Sequence, residues 1–335
     1  MPITIKDIAQ LANVSIATVS RVLNNSKPVS PEIREKIMQI VKETGYQPNA
    51  IARSLVNKQT LVIGVMIPDI GNDFFSPMVR GIEQVVSQFG YSLFLAITEG
   101  KLEKELKYLQ LFQEKQIDGV VLSGVQYQEH IRKFAKESGI PLVVVGQEFS
   151  AHQIPSVDID NVKAAYDATR FLLEKGHERI ALISAPLIDR SAGRDRYEGF
   201  LQAMREAGVA VRDAYLIEGD FSPNSGYESM RQLCGVEVRP TAVFVATDRM
   251  AVGALNYLLD HGIGVPEEMS LIGFDDIELA SLVRPAMCSV HIEPMQFGSE
   301  SGKLLLALLK DEMTNTRITI PHRLIIRQTI KTLNK

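Results

Sequence analysis

Residues 4–25, Thr-Ile-Lys-Asp-Ile-Ala-Gln-Leu-Ala-Asn-Val-Ser-Ile-Ala-Thr-Val-Ser-Arg-Val-Leu-Asn-Asn, leave a folding chain few options. Thr4 can cap a helix whose third position is Asp7, and Ile5, Ile8, Leu11 and Ala12 then fall on one face. That helix stops near Asn13. After Val14 a second start appears, with Ser15 as cap and Ile16, Val19, Val22 and Leu23 at intervals of three and four. Two short helices joined so tightly form a helix-turn-helix. With Val19, Val22 and Leu23 turned inward, Ile16, Ala17, Ser20 and Arg21 occupy the outer face near the start of the second helix, where such a motif meets base edges. A helical hairpin with a merely solvated polar face has the same pattern, so the next segment matters.

A third helix is expected from Ser30 as cap, through Pro31 in its first turn and Ile33, Ile37, Ile40 and Val41 on one face, to Gly45 at the stop. Gly45-Tyr46-Gln47-Pro48-Asn49-Ala50 and Ala52-Arg53-Ser54-Leu55 follow. Together with Thr-Ile-Lys-Asp-Ile-Ala and Ala-Thr-Val-Ser-Arg-Val-Leu-Asn, these runs resemble the lactose repressor and galactose repressor family of bacterial transcription regulators. The likeness continues over the full length. It implies an all-α helix-turn-helix head and an α/β body of two lobes with parallel sheets, like the periplasmic sugar-binding proteins of type I. It also extends the DNA-contacting set to Thr4, Ser15, Thr18, Asn24, Tyr46, Asn49 and Ala52.

Charge is distributed accordingly. The net charge of -4 divides into a basic first 60 residues, eight Lys and Arg against four Asp and Glu, and an acidic remainder. That suits a DNA-contacting head, because Lys and Arg neutralising phosphates supply most non-specific affinity. The N-terminus has no apolar signal core, and no apolar run is long enough to span a bilayer, so a cytoplasmic, nucleoid-associated protein with no membrane partner is expected. The two cysteines, Cys234 and Cys288, lack metal-site spacing and read as buried free thiols; no metal or cofactor is expected.

The domain reading is a head over 1–47, a hinge and linker over 48–59 and a body over 60–335 that binds effector and dimerises. One lobe takes about 60–160 and 291–320, the other about 161–290 and 321–335. Asn49 can cap a helix to about Val56 that is too short to persist alone. In the family this segment pairs with its copy across a dimer axis in the minor groove, and by resemblance Leu55 is wedged between central base pairs. An apolar wedge opens a base step and bends the duplex, a cost that added contacts offset. A flexible linker whose leucine touches the body is the alternative.

From Thr60 the pattern alternates. Strands are expected at 61–67, 91–97, 117–123 and 142–146, then at 179–184, 215–218, 242–246, 271–273 and 323–329. Helices are expected at 74–89, 101–115, 129–138, 160–174, 194–207, 226–233 and 251–261, with Leu102, Leu106, Leu109 and Phe112 inward in the second. Apolar strands alternating with amphipathic helices argue parallel sheets covered on both faces. Ligands of such sheets bind beyond the carboxyl ends of the strands, and between two lobes those ends share a cleft.

The residues that follow the strands are therefore the effector candidates: Asn72, Phe74, Gln147, Asp160, Arg190, Arg196, Phe221, Asp248 and Asp275. Carboxylates accept hydroxyls, arginine donates in a fixed fork, and ring faces cover the apolar side of a sugar. Resemblance singles out Phe74, Arg196, Phe221, Asp248 and Asp275 as matching family effector contacts. Helix capping by Asp248 and Asp275, core packing of Phe74 and Phe221, and a solvated face for Arg190, Arg194 and Arg196 are the competing readings. Where many relatives carry Gln-Pro, this chain has Ile292-Glu293-Pro294, which puts any sugar contact there in doubt. No heptad extension follows the last strand, so a homodimer on a pseudo-palindromic operator is expected.

The function so implied is repression of a carbohydrate-utilisation operon under a sugar-like effector. A purine-like corepressor or a phosphorylated carrier protein is the alternative signal. No dinucleotide, phosphate-loop, serine-hydrolase or zinc-protease motif points to an enzyme. Leu55→Ala is expected to weaken operator binding in a fluorescence anisotropy titration while leaving effector binding intact; unchanged operator affinity would remove the wedge.

Overall fold

The computed structural model describes residues 3–24, 27–46, 59–124, 128–147, 154–312 and 317–333, which form parts of two compact units, Met1–Leu61 and Val62–Lys335. In the first, α1 (Ile5–Ala12), α2 (Ile16–Asn24) and α3 (Pro31–Thr44) close around Ile8, Ala9, Ala12, Val19, Val22 and Ile37. The Asp7 carboxylate accepts the Thr4 amide N–H and hydroxyl, both at 2.8 Å. Gly45 ends α3 at φ +65°, a conformation glycine adopts without strain. Leu11 departs from the sequence reading. It is 57 % exposed, because the buried stripe of α1 runs through Ile8, Ala9 and Ala12.

The second unit holds two six-stranded sheets. The chain first lays down β1 (Val62–Ile67), α4 (Phe75–Val86), β2 (Ser92–Ile97), α5 (Leu102–Glu114), β3 (Gly119–Ser123), α6 (Gln128–Ser138), β4 (Leu142–Val145) and β5 (Ser156–Asp158). It crosses to the second lobe for α7 (Asn161–Glu174), β6 (Ile180–Ser184), α8 (Arg196–Glu206), β7 (Leu216–Glu218), α9 (Pro223–Gly235), β8 (Ala242–Val245), α10 (Asp248–Asp260), β9 (Ser270–Asp275), α11 (Glu278–Leu282) and β10 (Cys288–His291). It then returns for α12 (Pro294–Leu309) and β11 (Arg317–Thr319), and crosses again to β12 (Arg323–Ile325). The sheet orders are β11-β5-β4-β3-β1-β2 and β12-β10-β9-β8-β6-β7, parallel except where β12 runs against β10. Central strands such as β3 and β4 are buried at every residue, as expected where helices cover both faces.

Two local readings differ from the sequence expectation. In α5 the inward stripe passes through Glu105, Leu109 and Phe112, and Leu106 is 46 % exposed. Burial of Glu105 is tolerated because its carboxylate lies 2.8 Å from His130 Nε2 on α6. The helix α12 lay under a run, Gly298-Ser299-Glu300-Ser301-Gly302, that lacks a helical pattern in the sequence.

Those glycines are there for contact. A Cβ at Gly298 would sit 1.9 Å from the Met78 carbonyl of α4, and one at Gly81 would sit 2.2 Å from the Met295 carbonyl of α12. The two helices thus touch backbone to backbone. Gly226 and Gly253 repeat the device between α9 and α10 of the other lobe, against the Met250 and Pro223 carbonyls. Gly298→Ala should destabilise the body by about 1–3 kcal/mol, the usual cost of overpacking. A lower urea midpoint at an unchanged slope would show it; an unchanged midpoint would contradict the backbone contact.

Candidate functional site

The head exposes the outer face of α2 near its start. Ser15 Oγ accepts the Thr18 amide N–H at 3.1 Å and lies 2.9 Å from the Thr18 hydroxyl, so it caps α2 and fixes its start. With Val19 and Val22 buried, Ile16, Ala17 and Arg21 are exposed and Ser20 is half-buried. Tyr46 packs half-buried against the core of the head. The side chain of Asn24, and Asn49, Ala52 and Leu55, lie outside the described residues.

The body encloses a cavity of about 670 Å³ at the carboxyl ends of strands from both sheets. Of the sequence candidates, Asn72, Phe74, Gln147, Arg196, Phe221 and Asp275 line it. Asp160, Arg190 and Asp248 do not. Asp160 caps α7, its carboxylate accepting the Lys163 amide N–H at 2.8 Å. Arg190 is mostly exposed and faces Asp195 at 3.8 Å. Asp248 is wholly buried beneath the cavity floor, accepting the Ser289 hydroxyl at 2.7 Å and the Ile277 amide N–H at 3.0 Å. It braces β9 from below, in space left by the missing side chain of Gly273. Burial and the nearby Asp275 push its pKa well up.

Arg196 is the centre of the site. The chain leaves β6, passes the Asp189 cap and runs through a wide helical turn, Arg190–Asp195, before α8 begins. Such turns displace the following residue from regular helical register, and here that residue is Arg196. Gly193 permits the turn, since a Cβ there would lie 2.0 Å from the Pro186 carbonyl. The guanidinium is 6 % exposed and stacks 3.4 Å over the Phe274 ring. Its Nε donates to Asn161 Oδ1 at 3.0 Å, and Nη1 donates to the Ala246 carbonyl and lies 3.5 Å from Asp275 Oδ1. Among the described residues this leaves Nη2 and Asp275 Oδ2 without hydrogen-bond partners.

Backbone conformation singles out the same wall. Phe221 has φ 71° and Asp275 φ 110°, values that L-residues rarely adopt and that cluster at binding sites. Burial lifts the Asp275 carboxyl to about 6, with Arg196 opposing the shift.

The sequence reading passed over Phe297, which stands edge-on to Phe74 at 5.5 Å and forms part of the apolar wall with Ile292. It also passed over Arg249, at the mouth. Three hydrogen bonds bridge the lobes there: the Ser191 hydroxyl donates to the Gly146 carbonyl, and Arg249 Nη1 donates to the Gly71 carbonyl and to Asp69 Oδ2. Among the described residues no group of His, Cys, Asp and Glu side chains converges as a metal site, and no helix is long and apolar enough to cross a membrane.

Residues 4–49 match the model of the bacterial regulatory proteins of the lacI family, and residues 169–330 match a periplasmic binding protein-like domain. Catabolite control protein A of Priestia megaterium is 39 % identical over 99 % of this chain and 100 % of its own. The chain belongs to the lacI family of bacterial transcription regulators. The HTH-type transcriptional repressor PurR of Vibrio vulnificus is 34 % identical over 99 % of both chains. Among solved structures, a lac repressor dimer bound to operator and the anti-inducer ONPF superposes with a TM-score of 0.91 at 27 % identity, covering 99 % of this chain and 100 % of that one. Membership makes this protein a DNA-binding transcriptional regulator with an effector-binding body; its relatives are regulators, not enzymes.

The raised Asp275 pKa has a definite sign. Ionising this carboxyl costs folding stability, so its contribution is fullest below the usual 3.8 and is lost as pH rises through about 6. Ligand hydroxyls, however, need the ionised acceptor. Affinity of the cavity for a hydroxylated ligand should fall as pH drops through about 6. Calorimetric titration across that window, flattened by Asp275→Asn, checks it; an affinity flat in the native protein would count against an accepting Asp275.

Proposed function

We propose that this regulator is a cytoplasmic, nucleoid-associated repressor of a carbohydrate-utilisation operon, acting as a homodimer on a pseudo-palindromic operator, and that an unphosphorylated sugar in the inter-lobe cavity is its effector. The observation that carries the reading is the unpaired fork of Arg196 Nη2 and Asp275 Oδ2. It offers donors beside an acceptor, as neighbouring hydroxyls require, with Phe221 and Phe74 in the same wall. Asp69, Glu99, Asp189, Asp220 and Asp275 outnumber Arg196 and Arg249 around the cavity, which opposes an anionic ligand. Related solved structures include a regulator CelR–cellobiose complex, at 31 % identity and a TM-score of 0.75, and an Enterococcus faecium regulator with bound ribose, at 28 % and 0.72.

In each half-site Ile16 and Ala17 would touch thymine methyls while Arg21 supplies hydrogen-bonded readout. Asn72 and Gln147 complete the proposed effector set; Asp248 acts beneath the floor, and Asp160 and Arg190 are left out because they do not line the cavity. The PurR relative favours one second reading, a purine-like corepressor in the same cavity.

A thermal-shift panel of monosaccharides, disaccharides and purine bases tests the choice. A ligand that binds only the folded protein stabilises it, by about 2.7 kcal/mol at a hundred times its Kd. A sugar is expected to raise the Tm. A shift with a purine base alone would favour the corepressor, and a shift with neither would direct attention to a phosphorylated carrier protein.

A further inference from the structure

We infer that Arg249 is an affinity-determining clasp: it bridges the two lobes across the cavity mouth, so that an ion pair remote from the Arg196 fork sets how often the cleft is shut. This rests on reading the cavity as the effector site, but the pair itself is independent of that reading. Arg249 stands in the first turn of α10, where the helix dipole and unpaired amide N–H groups disfavour a cation. The helix therefore gives no reason for an arginine there; the opposite lobe does. Its Nη1 donates to the Gly71 carbonyl at 3.1 Å and to Asp69 Oδ2 at 3.3 Å, both in the loop that follows β1.

The acceptor is prepared in advance. Asp69 Oδ1 accepts the Gly71 amide N–H at 2.8 Å, which pins the carboxylate within its own turn and holds Oδ2 toward Arg249. Two acceptors on one turn of the first lobe thus meet a single guanidinium nitrogen of the second, a contact that separation of the lobes would break. With the Asp69 side chain 56 % and the Arg249 side chain 29 % exposed, the pair is open to solvent, so salt should weaken it. A clasp of this strength biases the cleft without locking it, as an effector-responsive closure requires.

Inter-lobe distance reads the clasp directly. Spin labels at Gln113→Cys on α5 and Asn224→Cys on α9, both exposed positions, are measured by pulsed electron resonance in the full chain, with labelled subunits diluted into unlabelled protein. The expected result is a closed population that falls about threefold or more in Arg249→Ala and is retained in Arg249→Lys. About 1 M salt should open the native protein and leave Arg249→Ala unchanged. Identical distance distributions in the native protein and Arg249→Ala, both with native melting curves, would overturn the clasp. Failure of every sugar and base to raise the native Tm while Arg249→Ala still opens would remove the effector reading and leave the clasp standing.

Discussion

A buried guanidinium must be paired, and much of the second lobe is arranged around satisfying one. Arg196 draws Asn161 from the start of α7, the Ala246 carbonyl from the end of β8, Asp275 from the end of β9 and the Phe274 ring into one cluster. Burial alone pulls the Arg196 pKa down, and the carboxylates of Asp275 and Asp189 pull it back. Breaking such a pair from one side typically costs about 3–5 kcal/mol, because the other charge is stranded. The cavity floor is thus fixed before any ligand arrives, which reduces the ordering an effector must impose.

The strain at Asp275 belongs to the same arrangement. Its φ of 110° and the φ of 54° at Asp276 turn two successive carboxylates in different directions. Asp275 meets Arg196 in the cavity. Asp276 meets Arg327 at 2.7 Å and His291 Nδ1 at 2.9 Å, beside the strand from which the chain returns to the first lobe. A residue of the cavity and a residue at a lobe connection are thus neighbours on one strained dipeptide at the end of β9.

Much of this was legible in the sequence, for identifiable reasons. The helices of the head and the apolar strands of the body carry periodicities that burial dictates, and residues just past parallel strands had to fall near the cleft. Asp160 and Asp248 show the limit of that rule. Both follow the right elements, yet one turns to a helix N-terminus and the other under the sheet, a choice made by Lys163, Ser289 and Ile277 rather than by spacing. The helix α12 was hidden because its glycines serve contact with α4 and erase the apolar stripe. Arg249 was hidden because its partner lies 180 residues away in sequence, and an arginine opening a helix has no meaning until Asp69 stands opposite.

We propose that the Arg196 cluster links effector binding in the cavity to operator affinity. By linkage, an effector changes operator affinity by the same factor as the operator changes effector affinity. The decisive measurement is that factor, taken by anisotropy on operator DNA with and without whichever ligand raises the Tm, in the native protein and in Arg196→Gln. A factor that collapses toward one in the variant, with effector-free operator affinity preserved, is the result this proposal expects. A factor that survives the loss of the guanidinium would contradict it.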